Sequence, residues 1–363
     1  MFRLATAPRS QGRQLLASFV PLVTPQATAF NTASTRTYAA KAKPRSPKAW
    51  KAPVGGERRP QEAAFKPRPL SAFQARNKDL GFKHVTAEEA HALYVKYLSA
   101  LTVRNKPADW QDKFIRDNNV TAAALHETGH FIYTFPDMVS DEFHLLCSMM
   151  DSAAGLGHDA AALSLGRVLI KLPGGKDNYF HFENPRWYKT RSRCLALIKE
   201  GRSANALVLD GLIHLKRNTP KDYRSALQAF GQAEELSKNA ESFDWQASCL
   251  EGQGEAYLQL GEEQKAEEAF VRLADLGYPQ GYFRLAQLRP ESPEYLERIT
   301  KAAASGIKEA YEMLVAEHER RREVCRAEGR VSEAAHHERD AAEWTRLLQA
   351  SQRKNRREES SSL

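Results

Sequence analysis

Long apolar runs are missing from this chain. Nowhere do about 18 apolar residues follow one another, so no membrane-spanning helix is expected. A hydrophobic content of 42% with a mean hydropathy of −0.57 is that of a soluble protein. Cysteine is sparse: Cys147, Cys194, Cys249 and Cys325 lie far apart and form no CxxC pair. That spacing predicts reduced, buried thiols, since a disulfide framework would add little to a chain of 363 residues. Acidic residues are absent from the start of the chain, the first being Glu57. Residues 1–71 carry 13 Lys/Arg against 2 Asp/Glu, so the remaining residues balance at −3 within a whole-chain net charge of +8. The basic character therefore sits in the leader, which argues against a nucleic-acid role for the folded body.

What stands in that leader is arginine, serine and scattered apolar residues. Arg3, Arg9, Arg13 and Arg36 alternate with Phe2, Leu4, Leu15, Leu16 and Phe19, and Pro21 and Pro25 interrupt any secretory-type apolar core. This pattern predicts a mitochondrial transit peptide over residues 1–38, drawn inward by the negative matrix. Arg36-Thr37-Tyr38-Ala39-Ala40 resembles a matrix-processing site with cleavage before Ala39. Residues 39–70 stay basic and proline-rich and are expected to form a disordered linker, read first as a solvated spacer, with peripheral contact to anionic lipid as the alternative.

Order is expected from about Leu70. An N-terminal helical region over 71–151 opens with a Thr86/Glu89 capping box, followed by Ala90, Leu93, Tyr94, Tyr97 and Leu98 at helical spacing. Beyond Pro107 the next helix is expected over Asn119–Tyr133. It contains His126-Glu127-Thr128-Gly129-His130, which matches HExxH. On a helix the two histidines share a face and can hold zinc, with Glu127 activating a bound water. The pattern needs a third ligand and a neighbouring sheet. Glu142, His144, Asp151 and His158 follow at no defined spacing, and the upstream residues read as helix. The preferred reading is two packed histidines, with no catalytic, cofactor or metal residue assigned. A further helix is expected from Ser140 to Ala154, with Phe143, Leu146, Cys147 and Met150 on one face.

From residue 152 a pattern recurs. Gly157, Ala161 and Leu165 fall at the same offsets as Gly201, Asn205 and Leu209, Gly277, Gly281 and Leu285, and Gly306, Ala310 and Leu314. The glycine intervals of 44, 76 and 29 fit a helical repeat of 30–45 residues with a weaker boundary near Ser242. Cys249–Leu288 is the best-formed unit: Gly254 and Ala266 allow close approach, Tyr257 and Phe270 fill the gap, and Gly261 turns the chain. Ala226 and Phe230 echo Ala266 and Phe270. An insertion from Pro173 to Pro185 contains Gly174-Gly175-Lys176, which lacks P-loop spacing and reads as a loop. Tyr179, Phe180, Phe182, Trp187 and Tyr188 are expected to pack that loop onto the array.

These residues resemble tetratricopeptide and Sel1-like repeats over 152–316, which implies an all-α, irregular helical-repeat solenoid. Capping helices are expected over 317–352 and a disordered tail over 353–363. The order of presequence, helical region and degenerate array, with Ser152–Leu169, Ala204–Leu260 and Gly277–Leu288, is similar to the fungal family of factors for cytochrome c oxidase subunit 2 biogenesis. That resemblance implies a non-catalytic scaffold on the matrix face of the inner membrane. Its implied partners are protein clients or the inner-membrane insertion machinery, and its role the export and stabilisation of the subunit. Two competing readings are a zinc metallopeptidase centred on His126, Glu127 and His130, and an RNA-binding translation or mitoribosome factor.

Overall fold

The computed structural model describes residues 67–361 apart from 81–82, 104, 108, 136–137, 173–178 and 239–242. The expected transit peptide, nearly all of the expected linker, Gly174-Gly175-Lys176 and the expected boundary near Ser242 lie outside these residues. Among the described residues regular structure is helical throughout and no strand occurs. Fifteen α-helices follow one another.

The first five are α1 (Leu70–Leu80), α2 (Ala87–Thr102), α3 (Trp110–Asn118), α4 (Ala122–Tyr133) and α5 (Ser140–Gly155). Thr86 and Glu89 cap α2 reciprocally, as the sequence predicts, through bonds of 3.2 and 2.8 Å to each other's backbone N–H. The expected helix over Asn119–Tyr133 is corrected in two respects. It begins at Ala122 after a Thr121 cap, and a separate α3 precedes it. Asn119 adopts φ +49, a left-handed turn that splits what periodicity reads as loop followed by one helix. The linker boundary also shifts. Arg68, expected to be disordered, is pinned to the bundle: its guanidinium grips Glu142 at 2.5 and 2.7 Å and lies 4.5 Å over the Phe135 ring.

The next helices are α6 (Asp159–Lys171), α7 (Tyr188–Glu200), α8 (Ala204–Arg217), α9 (Pro220–Leu236), α10 (Gln246–Gln259), α11 (Glu263–Asp275), α12 (Pro279–Leu288) and α13 (Tyr295–Ala304). A short 3₁₀ turn at Pro185–Trp187 leads into α7. From α6 onward each helix packs on its successor, and α6 and α10 also touch α8. The four boundary glycines predicted from the repeat, Gly157, Gly201, Gly277 and Gly306, all have positive φ between +65 and +90 just past the ends of α5, α7, α11 and α13. A side chain there would be strained, so glycine sets the helix ends.

Close approach explains a second set of small residues. The Phe230 ring on α9 lies between Gly211 on α8 and Gly252 on α10, and a Cβ on either would overlap it. Phe270 on α11 covers Gly254 on α10 in the same way. The paired use of glycine and phenylalanine matches the expectation for Gly254 and Phe270. Tyr257 is only partly buried at that junction.

The chain ends with α14 (Lys308–Ala327) and α15 (Val331–Ser361), joined by a turn at Gly329. The expected boundary between 316 and 317 falls inside α14, and that between 151 and 152 falls inside α5. The tail expected to be disordered from residue 353 is instead a continuation of α15 to Ser361; its polar, proline-free sequence has nothing that stops a helix.

Candidate functional site

Helix α4 sets His126 and His130 one turn apart, so both project from one face. Their Nε2 atoms are 3.2 Å apart, one nitrogen donating to the other. The His126 ring also lies 4.4 Å from that of His158, at the start of α6, where His158 Nδ1 accepts the Ala161 N–H at 3.2 Å. The fold thus joins a third histidine to the pair, a contact that sequence spacing does not reveal. Burial pushes His126 down to about 3, helped by repulsion from His130 and His158. It pushes His130 down to about 4, against the attraction of Glu127. His158 is lowered too, chiefly by burial. These imidazoles are neutral at neutral pH.

Glu127 has a different task. Its carboxylate accepts the backbone N–H groups of Lys83, His84 and Val85 at 3.2, 2.8 and 3.0 Å. One helical step of about 100° carries it off the histidine face, toward the segment before α2. Three donors converge on it, so its lone pairs tie α4 to the N-terminal loop. Water activation in the HExxH scheme needs that carboxylate beside the metal.

Next to this cluster lies a cavity of about 40 Å³ between α4, α5 and α6. Phe143, Leu146, Cys147 and Met150, the predicted face of α5, line it together with His130 and Arg167. Ligand pockets measure about 300–1,000 Å³, and a space this small holds water-sized occupants. Arg167 is 4% exposed; its guanidinium stacks 4.8 Å over Trp245 and Nη1 donates to Ser248 Oγ at 3.4 Å. This cation ties α6 to the start of α10.

The other residues downstream of HExxH are also engaged in packing. Glu142 is fully buried, bound to Arg68 and to the Val139 N–H at 3.1 Å. Asp151 Oδ1 accepts both the N–H and the hydroxyl of Thr190, at 3.1 and 2.7 Å, and burial raises its pKa. His144 Nε2 meets Tyr179 Oη at 2.7 Å. The insertion aromatics pack as expected, with Phe180 stacked 5.9 Å from Trp187 and the Trp187 indole donating to the Tyr179 carbonyl at 2.7 Å. Tyr179 and Tyr188 remain exposed, at 39% and 54%. All four cysteines are free and buried, and burial raises the pKa of Cys147, Cys194 and Cys249.

A second histidine group lies on the C-terminal hairpin. His318 on α14 meets His337 on α15, with Asp340 one turn further along α15. The only local signal is the i, i+3 pair His337/Asp340; His318 joins them through tertiary contact alone. No protein-family model matches the chain, and no curated protein matches it either.

Proposed function

We propose that this chain is a non-catalytic scaffold of the mitochondrial matrix, built on a tetratricopeptide/Sel1-like solenoid and acting in cytochrome c oxidase biogenesis. Its clients in this reading are oxidase subunit 2 and the insertion machinery at the matrix face of the inner membrane. The observation that carries the reading is the run of helices α6–α13, each packed on the next, with positive-φ glycines between α7 and α8, α10 and α11, and α11 and α12. Such arrays present an extended surface that grips peptides or protein faces. The acid-free, arginine-rich leader supports mitochondrial import, and the absence of a helix long and apolar enough to cross a membrane, among the described residues, fits peripheral attachment. The engagement of Glu127 by three backbone donors weighs against the metallopeptidase alternative.

The test is crosslinking and pull-down of the tagged full chain from solubilised mitochondria, paired with deletion of its gene. The expected result is recovery of subunit 2 or an insertase and loss of subunit 2 on deletion. Recovery of ribosomal proteins alone, with subunit 2 unchanged, overturns the reading in favour of a translation factor.

A further inference from the structure

The C-terminal hairpin of α14 and α15 buries mostly small apolar side chains. Its interface is lined by Ala334, Ala341 and Cys325, with Tyr311 and Trp344 in contact at its far end. Within this interface sits a buried histidine, His318, 6% exposed. Its Nδ1 lies 3.2 Å from His337 Nδ1 and 3.6 Å from Asp340 Oδ2. The three donor atoms all fall within 4.8 Å of one another.

Direct hydrogen bonding accounts for only part of this arrangement. One proton can join the two Nδ1 atoms, and 3.6 Å to the carboxylate is too long for a hydrogen bond. A cation between the three atoms satisfies them together. Tetrahedral zinc binds nitrogen and oxygen at about 2.0–2.2 Å, which places ligand atoms roughly 3.3–3.6 Å apart. The His318–Asp340 separation of 3.6 Å lies at that spacing, and the His318–His337 separation of 3.2 Å is just short of it. The supporting groups are also present. His336 Nε2 stands 3.4 Å from the same Asp340 oxygen, on the solvent side, where it can orient the carboxylate. Arg321, the nearest cation on α14, is held by Glu317 at 2.6 Å.

We propose that His318, His337 and Asp340 form a site for a divalent cation of the zinc class, bound by two imidazoles and one carboxylate with a fourth position open to water. Imidazole with carboxylate suits zinc better than the all-oxygen preference of calcium or magnesium. Its effect is to clamp α15 onto α14 across the turn at Gly329. This site is independent of the scaffold reading and of the HExxH motif.

The test uses the full chain, stripped with a chelator and titrated with Zn²⁺ by calorimetry, alongside hydrogen exchange of α15. One zinc binds per chain and slows exchange in α15. His337→Ala and Asp340→Asn, both at partly exposed positions, weaken binding by more than the roughly 10–100-fold that loss of a supporting hydrogen bond costs. Circular dichroism of the zinc-free variants checks that they fold, and His337→Gln replaces any that does not. The proposal is overturned by failure of the chain to take up zinc at micromolar concentration. It is equally overturned by uptake that survives both substitutions, or by uptake lost on His126→Gln instead, which assigns the metal to α4.

Discussion

Between Phe73 and Cys249 the buried residues join in one continuous core, and its largest members are rings: Trp187, Tyr94, Tyr97, Phe73 and Phe131. Beyond it the core breaks into small clusters in which alanines, such as Ala266 and Ala274 or Ala302 and Ala303, separate single large residues. Polar groups divide the same way. The first region buries its ion pair and hydrogen-bond network: Arg68 with Glu142, Asp151 with Thr190, and Tyr97 donating to the Ser148 carbonyl at 2.9 Å. The last region holds most of its ion pairs at the surface, as in Arg326 with Glu338 at 3.1 Å, with Glu317 as its buried carboxylate. Large rings tie many helices into one unit, whereas alanine-lined contacts join only neighbours. The first region is therefore expected to unfold as a block and the second to loosen locally.

The sharpest way to break that contrast is Glu142→Ala. It strands the Arg68 cation against the bundle and is expected to cost about 3–5 kcal/mol, read as a lower urea midpoint with faster hydrogen exchange across α1–α8. Exchange confined to α1 and α5 would sink the single-block picture. Phe270→Ala comes next, at about 3–4 kcal/mol for a buried ring removed. Here faster exchange is expected in α10–α12 while α2 and α5 stay protected.

A pH series sharpens the comparison further. His126 and His130 are held down to about 3 and about 4 in the folded chain. Unfolded histidines have a pKa of about 6.5, so between that value and pH 4 the unfolded state binds more protons. Stability is full above pH 6.5 and falls as pH drops, by up to about 1.4 kcal/mol per pH unit for each histidine. Urea midpoints at pH 7 and 5 measure it, and a His126→Gln/His130→Gln chain should show a flatter slope. An unchanged slope would place the sensitivity elsewhere. The smallest effect is expected for Glu338→Ala at the exposed pair with Arg326, within about 0.5 kcal/mol; a loss as large as that of Phe270→Ala would mean that surface charge holds the hairpin.

Local features were readable in advance. The Thr86/Glu89 box, the glycines at 157, 201, 277 and 306, and the partnership of Gly254 with Phe270 depend on neighbours in sequence or on repeat spacing, and each is where the pattern puts it. The failures have a common cause. Arg68 reads as linker because its partner Glu142 is 74 residues away. Helix α3 escapes because its nine residues are too few to establish a period. The role of Glu127 goes unread because the backbone amides that occupy it belong to a loop over 40 residues upstream.

The same division runs through the candidate sites. Sequence by itself determined the all-helical class, where α5, α7, α11 and α13 stop and that Gly254 admits a ring, since backbone strain and side-chain volume act on a residue and its near neighbours. Tertiary structure alone decided what the histidines do. It brought His158 to the His126/His130 pair, tied Glu127 to an upstream loop, and brought His318 to His337 and Asp340 across a hairpin. A side chain's chemistry depends on which donors and charges lie within a few ångströms of it, and that distance is set by packing between helices.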